Sequence, residues 1–368
     1  MGKRQEVFPL FLPLVILCVV LAIPYLSIAG LSYFSPSKSA MSRDFSYRPS
    51  VTIFLPTYNE EEFIEKKLHD LLRQSYPITE ILVYDCSTDR TRDLIREYAS
   101  KFKSIHLIEQ SERIGMASTF NEAIKVATGE IIVKTDCDSI TKSEKALARL
   151  MSGFADPKVG AVTGICENSM DTESHFRSFM TKIQQAESSI DSTMIGHSTS
   201  LLAFRKTSCK PVSPNSMAED SEEMILIRRA GFRTLLDTSV VSEEEVPLNP
   251  KVRRAQKTRR AEGIIRAILS NRDMLFHKSY GKFGFIILPV ELFILCLSPF
   301  VLIALVSVLL FLAFNISFFL FILILAIVAS IFIKPRLALA ILDTQFNSLK
   351  ATILILFHTN QPKWQKVR

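Results

Sequence analysis

Val51-Thr52-Ile53-Phe54-Leu55 is a short β-rich run that leads straight into Pro56-Thr57-Tyr58-Asn59-Glu60. From Glu60 to Gln74, Ile64, Leu68, Leu71 and Leu72 recur at helical spacing. Ile81 to Tyr84 is a second strand, and Thr88 to Phe102 a helix with Leu94, Ile95, Tyr98 and Phe102 on one face. A strand at Ile105–Ile108, a helix at Met116–Ala127 and a strand at Ile131–Val133 follow. Strands alternating with helices predict an α/β fold: a doubly wound, mostly parallel sheet. Such sheets bind ligands at the carboxyl ends of their strands.

That rule selects four clusters: Pro56–Glu60, Asp85-Cys86-Ser87-Thr88-Asp89, Asp136-Cys137-Asp138, and Glu219-Asp220 within Met217–Glu223. Taken singly each has a bland reading. Asn59 or Thr88 can cap the next helix, Asp89 can serve a helix dipole, and an acidic pair is commonly a solvated loop. Four acidic clusters placed by one topological rule are harder to dismiss. Asp136 and Asp138 flank one residue after a strand, an arrangement suited to a hard divalent cation shared with a diphosphate. Cys137 has neither partner thiolates nor a nearby His, which argues against zinc. No GxxxxGK[ST], GxGxxG or serine nucleophile elbow is present, so P-loop hydrolysis, Rossmann redox chemistry and serine hydrolysis lose support.

Outside this middle region the material changes. The 368 residues are 48% apolar, with mean hydropathy +0.22. This is high for a typical soluble protein, low for a chain made only of membrane spans, and excludes general disorder. Twelve Gly and 16 Pro exclude collagen-like sequence. Six cysteines without a CxxC pair suggest a reducing compartment rather than a disulfide framework.

Residues 8–34 carry no charge and are long enough for a transmembrane helix; a cleaved signal peptide is the competing reading. Residues 283–333 read as a transmembrane hairpin with its turn at Asn315, and 266–282 as a basic juxtamembrane segment before it. In 337–368, Leu339, Leu342, Phe346, Leu349, Ile353 and Leu356 share one face, with Asp343, Asn347 and Lys350 on another. This suits an amphipathic interfacial helix with a basic tail, a fourth span being the alternative. One span before and two after the middle region place residues 48–265 on the cytoplasmic side of a multi-pass protein of the cell membrane, although Lys3 and Arg4 oppose this orientation. Between Lys251 and Lys282, ten basic residues face two acidic ones. They suit anionic membrane lipids or a diphosphate. No aromatic platform accompanies them, so nucleic acid is not an expected partner.

In this order, the clusters resemble the family-two inverting glycosyltransferases of GT-A fold, over residues of about 50 to 265. The likeness rests on Pro56–Glu60, Asp85–Asp89, Arg113-Ile114-Gly115 with Asn121, Asp136–Asp138 and Ala218-Glu219-Asp220. Gly196 with Leu202–Arg205 is similar to the family's acceptor-side strand. Gln256-Lys257-Thr258-Arg259-Arg260 is similar to the Gln-x-x-Arg-Trp motif of polysaccharide-making members. The family usually has Asp at the position of Tyr84, Gly at that of Cys86 and Trp at that of Arg260, and often Lys at that of Met116.

The resemblance implies roles. Thr57, Tyr58, Glu60 and Asp85 would hold the donor nucleotide, Arg113 would approach its phosphates, and Asp136 would contact the donor. Gln256, Arg259 and Arg260 belong to the donor side, Asp138 to a Mg²⁺ or Mn²⁺ ion, Glu219 and Gly196 to the acceptor side, and Asp220 is the general base. The implied activity moves a sugar from a nucleotide-sugar, UDP-linked in preference to GDP-linked, to a lipid-linked or growing glycan acceptor. A processive polysaccharide synthase is the runner-up, and a catalytically inactive membrane scaffold the non-enzymatic alternative.

Overall fold

The computed structural model describes residues 8–34, 41–167, 171–194, 201–244, 249–315 and 335–357. Helix α1 covers Phe8–Phe34. There follow β1 (Val51–Thr57), α2 (Ile64–Leu72), β2 (Glu80–Asp85), α3 (Thr91–Lys101), β3 (Ile105–Glu109), α4 (Met116–Val126) and β4 (Ile131–Thr135). Next come β5 (Ser139–Thr141), α5 (Ala146–Ser152), β6 (Val159–Glu167), α6 (Asp171–Ile190), β7 (Leu201–Arg205), α7 (Glu219–Arg229), β8 (Arg233–Glu244) and α8 (Pro250–Ser270). A long apolar helix then contains α9 (Leu288–Leu292) and α10 (Ser298–Asn315), with π turns at Phe283–Ile287 and Phe293–Leu297, and α11 covers Pro335–Leu356.

The sheet order is β3-β2-β1-β4-β7-β6-β8-β5. The first four strands are parallel. Beyond β4 the sheet is mixed: β7 is antiparallel to β4 and β6, β6 and β8 are parallel, and β5 lies antiparallel to β8. Helices cover both faces, so the central strands read as continuous apolar runs. Val51, Ile53 and Leu55 enter a core with Ile64, Leu68, Ile95 and Leu147. Phe54 enters the opposite core with Phe120, Phe204 and Met224. This is the period-two alternation of a strand, buried on both sides.

A third core joins the sheet domain to the apolar helices. It contains Ile225 of α7, Ile264, Ile265 and Ile268 of α8, Phe283 and Leu288 of the long apolar helix, and Ala351 of α11. Segments Phe283–Phe311 and Leu339–Leu356 are each long and apolar enough to cross a membrane. Helix α8 runs unbroken from Pro250 to Ser270, across position 266.

Helix α11 has the two faces its periodicity predicts, but much of its polar face packs on protein, Lys350 alone of Asp343, Asn347 and Lys350 being exposed. Asp343 accepts a hydrogen bond from Lys257 Nζ at 3.0 Å, Asn347 accepts one from Thr258 Oγ1 at 3.0 Å, and Gln345 accepts one from Ser298 Oγ at 2.7 Å. Leu339, Leu342, Phe346, Ile353 and Leu356 are the exposed side. The second arm of the expected hairpin and the basic tail lie outside the described residues.

Candidate active site

Strands β1, β2 and β4 end side by side, and their last residues make one rim. The register pairs Thr57 with Asp85. Thr57 Oγ1 donates to Asp85 Oδ1 at 2.9 Å, Ser87 N donates to Oδ2 at 3.2 Å and Arg92 Nε donates to Oδ2 at 2.9 Å. Asp85 is fully buried, so its charge is taken up inside the rim. Asn59 adopts a left-handed φ of 54°, rare outside glycine. Its amide donates to Ser87 Oγ at 2.8 Å and its side chain accepts from Thr88 N at 2.9 Å. Glu60 N donates to Thr91 Oγ1 at 2.7 Å. Asp89 accepts from Thr91 N at 3.0 Å at the start of α3, a local structural use. Arg113 lies over the Tyr58 ring at 4.1 Å, so these two residues meet at the same rim. Asn121 joins Val212 by two hydrogen bonds, 2.8 and 3.0 Å, and so works as a clamp between α4 and the segment before α7.

The β4 end is organised by charge. Lys134, the fourth residue of β4, makes a short hydrogen-bonded ion pair with Glu219 at the start of α7. Burial alone would push its ammonium down, yet Glu219, Asp220 and Asp136 together hold it above the ordinary lysine value. Burial likewise raises Glu219, but Lys134 and Arg259 bring it below the usual carboxylate range. Asp136 is pushed up to about 6, first by burial, with Lys134 opposing and Glu244, Glu219 and Asp220 adding to the rise. Burial also draws Arg259 down against the pull of Glu219 and Asp220. Asp136, Glu219, Asp220 and Arg259 thus share one electrostatic neighbourhood with Lys134 inside it.

Helix α8 closes this neighbourhood from the α7 side. A Cβ on Gly263 would come within 2.8 Å of Ala218 Cβ and of Met217 C, so only glycine lets α8 pack this tightly on the residues that precede Glu219. Gln256, Arg259 and Arg260 are three and four residues apart, hence on one helical face. Arg260 is exposed, and its charge reaches Glu244.

Sequence reasoning missed Lys134, Arg177 and Glu244. Arg177 Nη2 donates to Glu244 Oε2 at 3.0 Å, and Glu244 pairs in register with Ser139, the residue after Asp138. A lysine inside a five-residue apolar strand was the available signal for Lys134, because burying it requires a partner. Arg177 and Glu244 carried no comparable signal. Gly196 lies outside the described residues.

Asp136 and Asp138 offer oxygen ligands. Among the described residues no group of three or more His, Cys, Asp or Glu side chains could hold a metal alone. The site therefore fits a hard cation that takes its remaining ligands from a diphosphate and water, as Mg²⁺ and Mn²⁺ do.

A GT-A-like sheet with acidic and basic side chains gathered at its strand ends is the frame on which glycosyltransferases of that fold are built. The profile of the family described as Glycosyl transferase family 2 matches residues 52–235, and the chain belongs to that family. It is similar to the mannosyltransferase PcManGT of Pyrobaculum calidifontis, solved with GDP-Man and Mn²⁺. The TM-score is 0.81 and identity 27%, with 95% of this chain and all of that one covered. It is also 37% identical over 101 residues to the putative teichuronic acid biosynthesis glycosyltransferase TuaG of Bacillus subtilis, a match that takes in 27% of this chain. With poly-beta-1,6-N-acetyl-D-glucosamine synthase of Staphylococcus epidermidis it shares 30% identity over 115 residues, or 31% of this chain. The matches span 40% and 28% of the length of these two relatives.

Proposed function

We propose that this glycosyltransferase moves a sugar, with inversion, from a nucleoside-diphosphate sugar to a lipid-linked or growing glycan acceptor at the cytoplasmic face of the cell membrane, using Mg²⁺ or Mn²⁺. The observation that carries the reading is the convergence of Asp136, Glu219, Asp220 and Arg259 around Lys134.

Asp220 stands at the start of α7, partly exposed, with Ser221 N donating to Oδ1 at 2.8 Å. It is the general base. The acceptor hydroxyl gives its proton to this carboxylate while its oxygen forms a bond to the anomeric carbon. The bond from that carbon to the diphosphate breaks on the opposite face, and the departing diphosphate keeps the electron pair. One displacement inverts the centre. Arg259 faces the developing negative charge, with Gln256 and Arg260 on the same helical face. Asp138, with Asp136, would hold the cation, which when bound neutralises charge on the diphosphate. Thr57, Tyr58, Glu60 and Arg113 line the donor rim. Thr57, Ser87 and Arg92 already donate to Asp85, so a base N–H would share that carboxylate with them. Glu219, tied to Lys134, orients the acceptor side, to which Gly196 is also assigned.

The two membrane-length segments, and α11 with its polar face on α8 and its apolar face exposed, support a membrane location. Gln256 and the likeness to a polysaccharide synthase favour processive synthesis as the second reading, and product length on a gel separates the two.

The test is thermal stabilisation of the purified full chain by a panel of GDP- and UDP-sugars with Mn²⁺, followed by transfer assays with and without chelator. GDP-mannose comes first because the neighbour matched along almost the whole chain was solved with it. Stabilisation by one donor class, and transfer lost to chelator and restored by Mg²⁺ or Mn²⁺, is expected. Metal-independent turnover would remove the assignment of Asp138, and absence of any donor binding would leave the scaffold reading.

A further inference from the structure

Lys67 of α2 is fully buried, a rare state for lysine unless the ammonium is paired. Its Nζ donates to the Ser139 carbonyl at 2.6 Å, lies 3.4 Å from Ser139 Oγ, and is 3.8 Å from Asp70 Oδ2. Ser139 directly follows Asp138, and its Oγ donates to the Asp136 carbonyl at 3.0 Å. A relay of hydrogen bonds thus runs from Lys67 through Ser139 to the backbone of Asp136. One turn along α2, Asp70 takes the other end of the same short strand. It accepts from Thr141 N at 3.0 Å and Thr141 Oγ1 at 2.6 Å, while Arg73 Nη2 braces it at 2.9 Å. The polar face of α2 therefore grips both ends of β5.

Packing alone does not call for an ammonium here. A buried ion pair replaced by well-packed apolar groups is often neutral or stabilising. Yet the anionic groups whose charge reaches Lys67 are Asp70, Asp136 and Asp138, with the Cys137 thiol beside them. Two carboxylates separated by one residue repel each other and drift apart unless the backbone between them is held.

We propose that Lys67 is a positioning residue for the cation-binding loop: by pinning Ser139 from within the fold, it keeps the Asp136 and Asp138 carboxylates in register for a divalent cation that arrives with the donor. The inference rests on the metal reading given under Proposed function. It makes Lys67 a determinant of cation-nucleotide affinity although it touches neither ligand.

The test measures Mn²⁺ binding to the full chain in the presence of GDP and, separately, UDP, by calorimetry and by the electron paramagnetic resonance spectrum of the bound ion. Lys67→Met keeps the apolar length and loses the pin. The expected result, read below the melting temperature of the variant, which falls because Asp70 and the Ser139 carbonyl lose a buried partner, is Mn²⁺-nucleotide affinity about 10-fold or more weaker and a broadened Mn²⁺ spectrum. Thr141→Val, which removes the Oγ1 bond to Asp70 and the one Oγ1 accepts from Gln74 Nε2 at 2.8 Å but leaves Lys67 and Ser139 in place, is expected to weaken binding less and in the same direction. Equal or tighter Mn²⁺ binding by Lys67→Met overturns the proposal. So does a fall in melting temperature with affinity intact, since that is a purely structural role. If Lys67→Met does not fold, Thr141→Val decides by the same criterion, and failure of both to fold assigns Lys67 to folding alone. A wild-type chain that binds no Mn²⁺ with either nucleotide sinks the metal reading itself, a result distinct from equal binding by wild type and variant.

Discussion

The two halves of the rim are held by different physics. At β1 and β2, Asp85 is enclosed by Thr57, Ser87 and Arg92, and a left-handed Asn59 locks the two strand ends together. This is a closed hydrogen-bond circuit, complete before any ligand arrives. At β4 and α7, Asp136, Glu219 and Asp220 crowd around Lys134, and burial first, then the neighbouring carboxylates against the pull of Lys134, push Asp136 up to about 6. Neutral and charge-assisted hydrogen bonds pre-organise the first half. The second keeps a buried carboxylate whose charge a cation would help to stabilise.

The comparison breaks most visibly at Asp220. Asp220→Asn should lower transfer by about 100- to 10,000-fold while donor binding, followed by calorimetry, stays near wild type. Undiminished turnover would remove the base assignment. Next is Lys134→Met, which takes from Glu219 its hydrogen-bonded cation and should cost about 3–5 kcal/mol in denaturant unfolding. Lys134→Met combined with Glu219→Leu should recover most of that loss. If the single and double variants are equally unstable, the charged half is not held by this pair.

Smaller effects belong to the hydrogen-bonded half. Thr57→Val removes one of the bonds to Asp85 and should cost about 1 kcal/mol in the same measurement. A further test, back in α7, is a slope with pH. Glu223, buried in α7, has its carboxyl pushed by burial from 4.5 up to about 8. The folded state therefore holds a proton that the unfolded chain releases, so stability should decline as pH rises from 4.5 to about 8. Glu223→Gln should flatten that part of the profile, and an unaltered slope would contradict the assignment.

Much of the fold was legible because short-range patterns record it. Val51–Leu55 and Ile131–Val133 are apolar on both faces, as strands inside a covered parallel sheet must be, and helical spacing at Ile64, Leu68 and Leu71 marked α2. The mixed half was less legible, since the reversal at β7 is a matter of which strand it lies beside. In α11, periodicity separated an apolar face from a polar one. Which face met protein depended on Lys257 and Thr258, 86 and 89 residues away.

By itself the chain's order of residues determined where strands and helices form and which acidic clusters fall after strands, because backbone geometry and burial impose periods of two and 3.6. Tertiary structure alone decided that Lys134 meets Glu219, that Gly263 admits α8 against Ala218, and that Lys67 reaches Ser139. Each of these depends on atoms brought within a few ångströms across tens of residues. Only the packed arrangement of helices on the sheet sets such distances, and no local pattern encodes them.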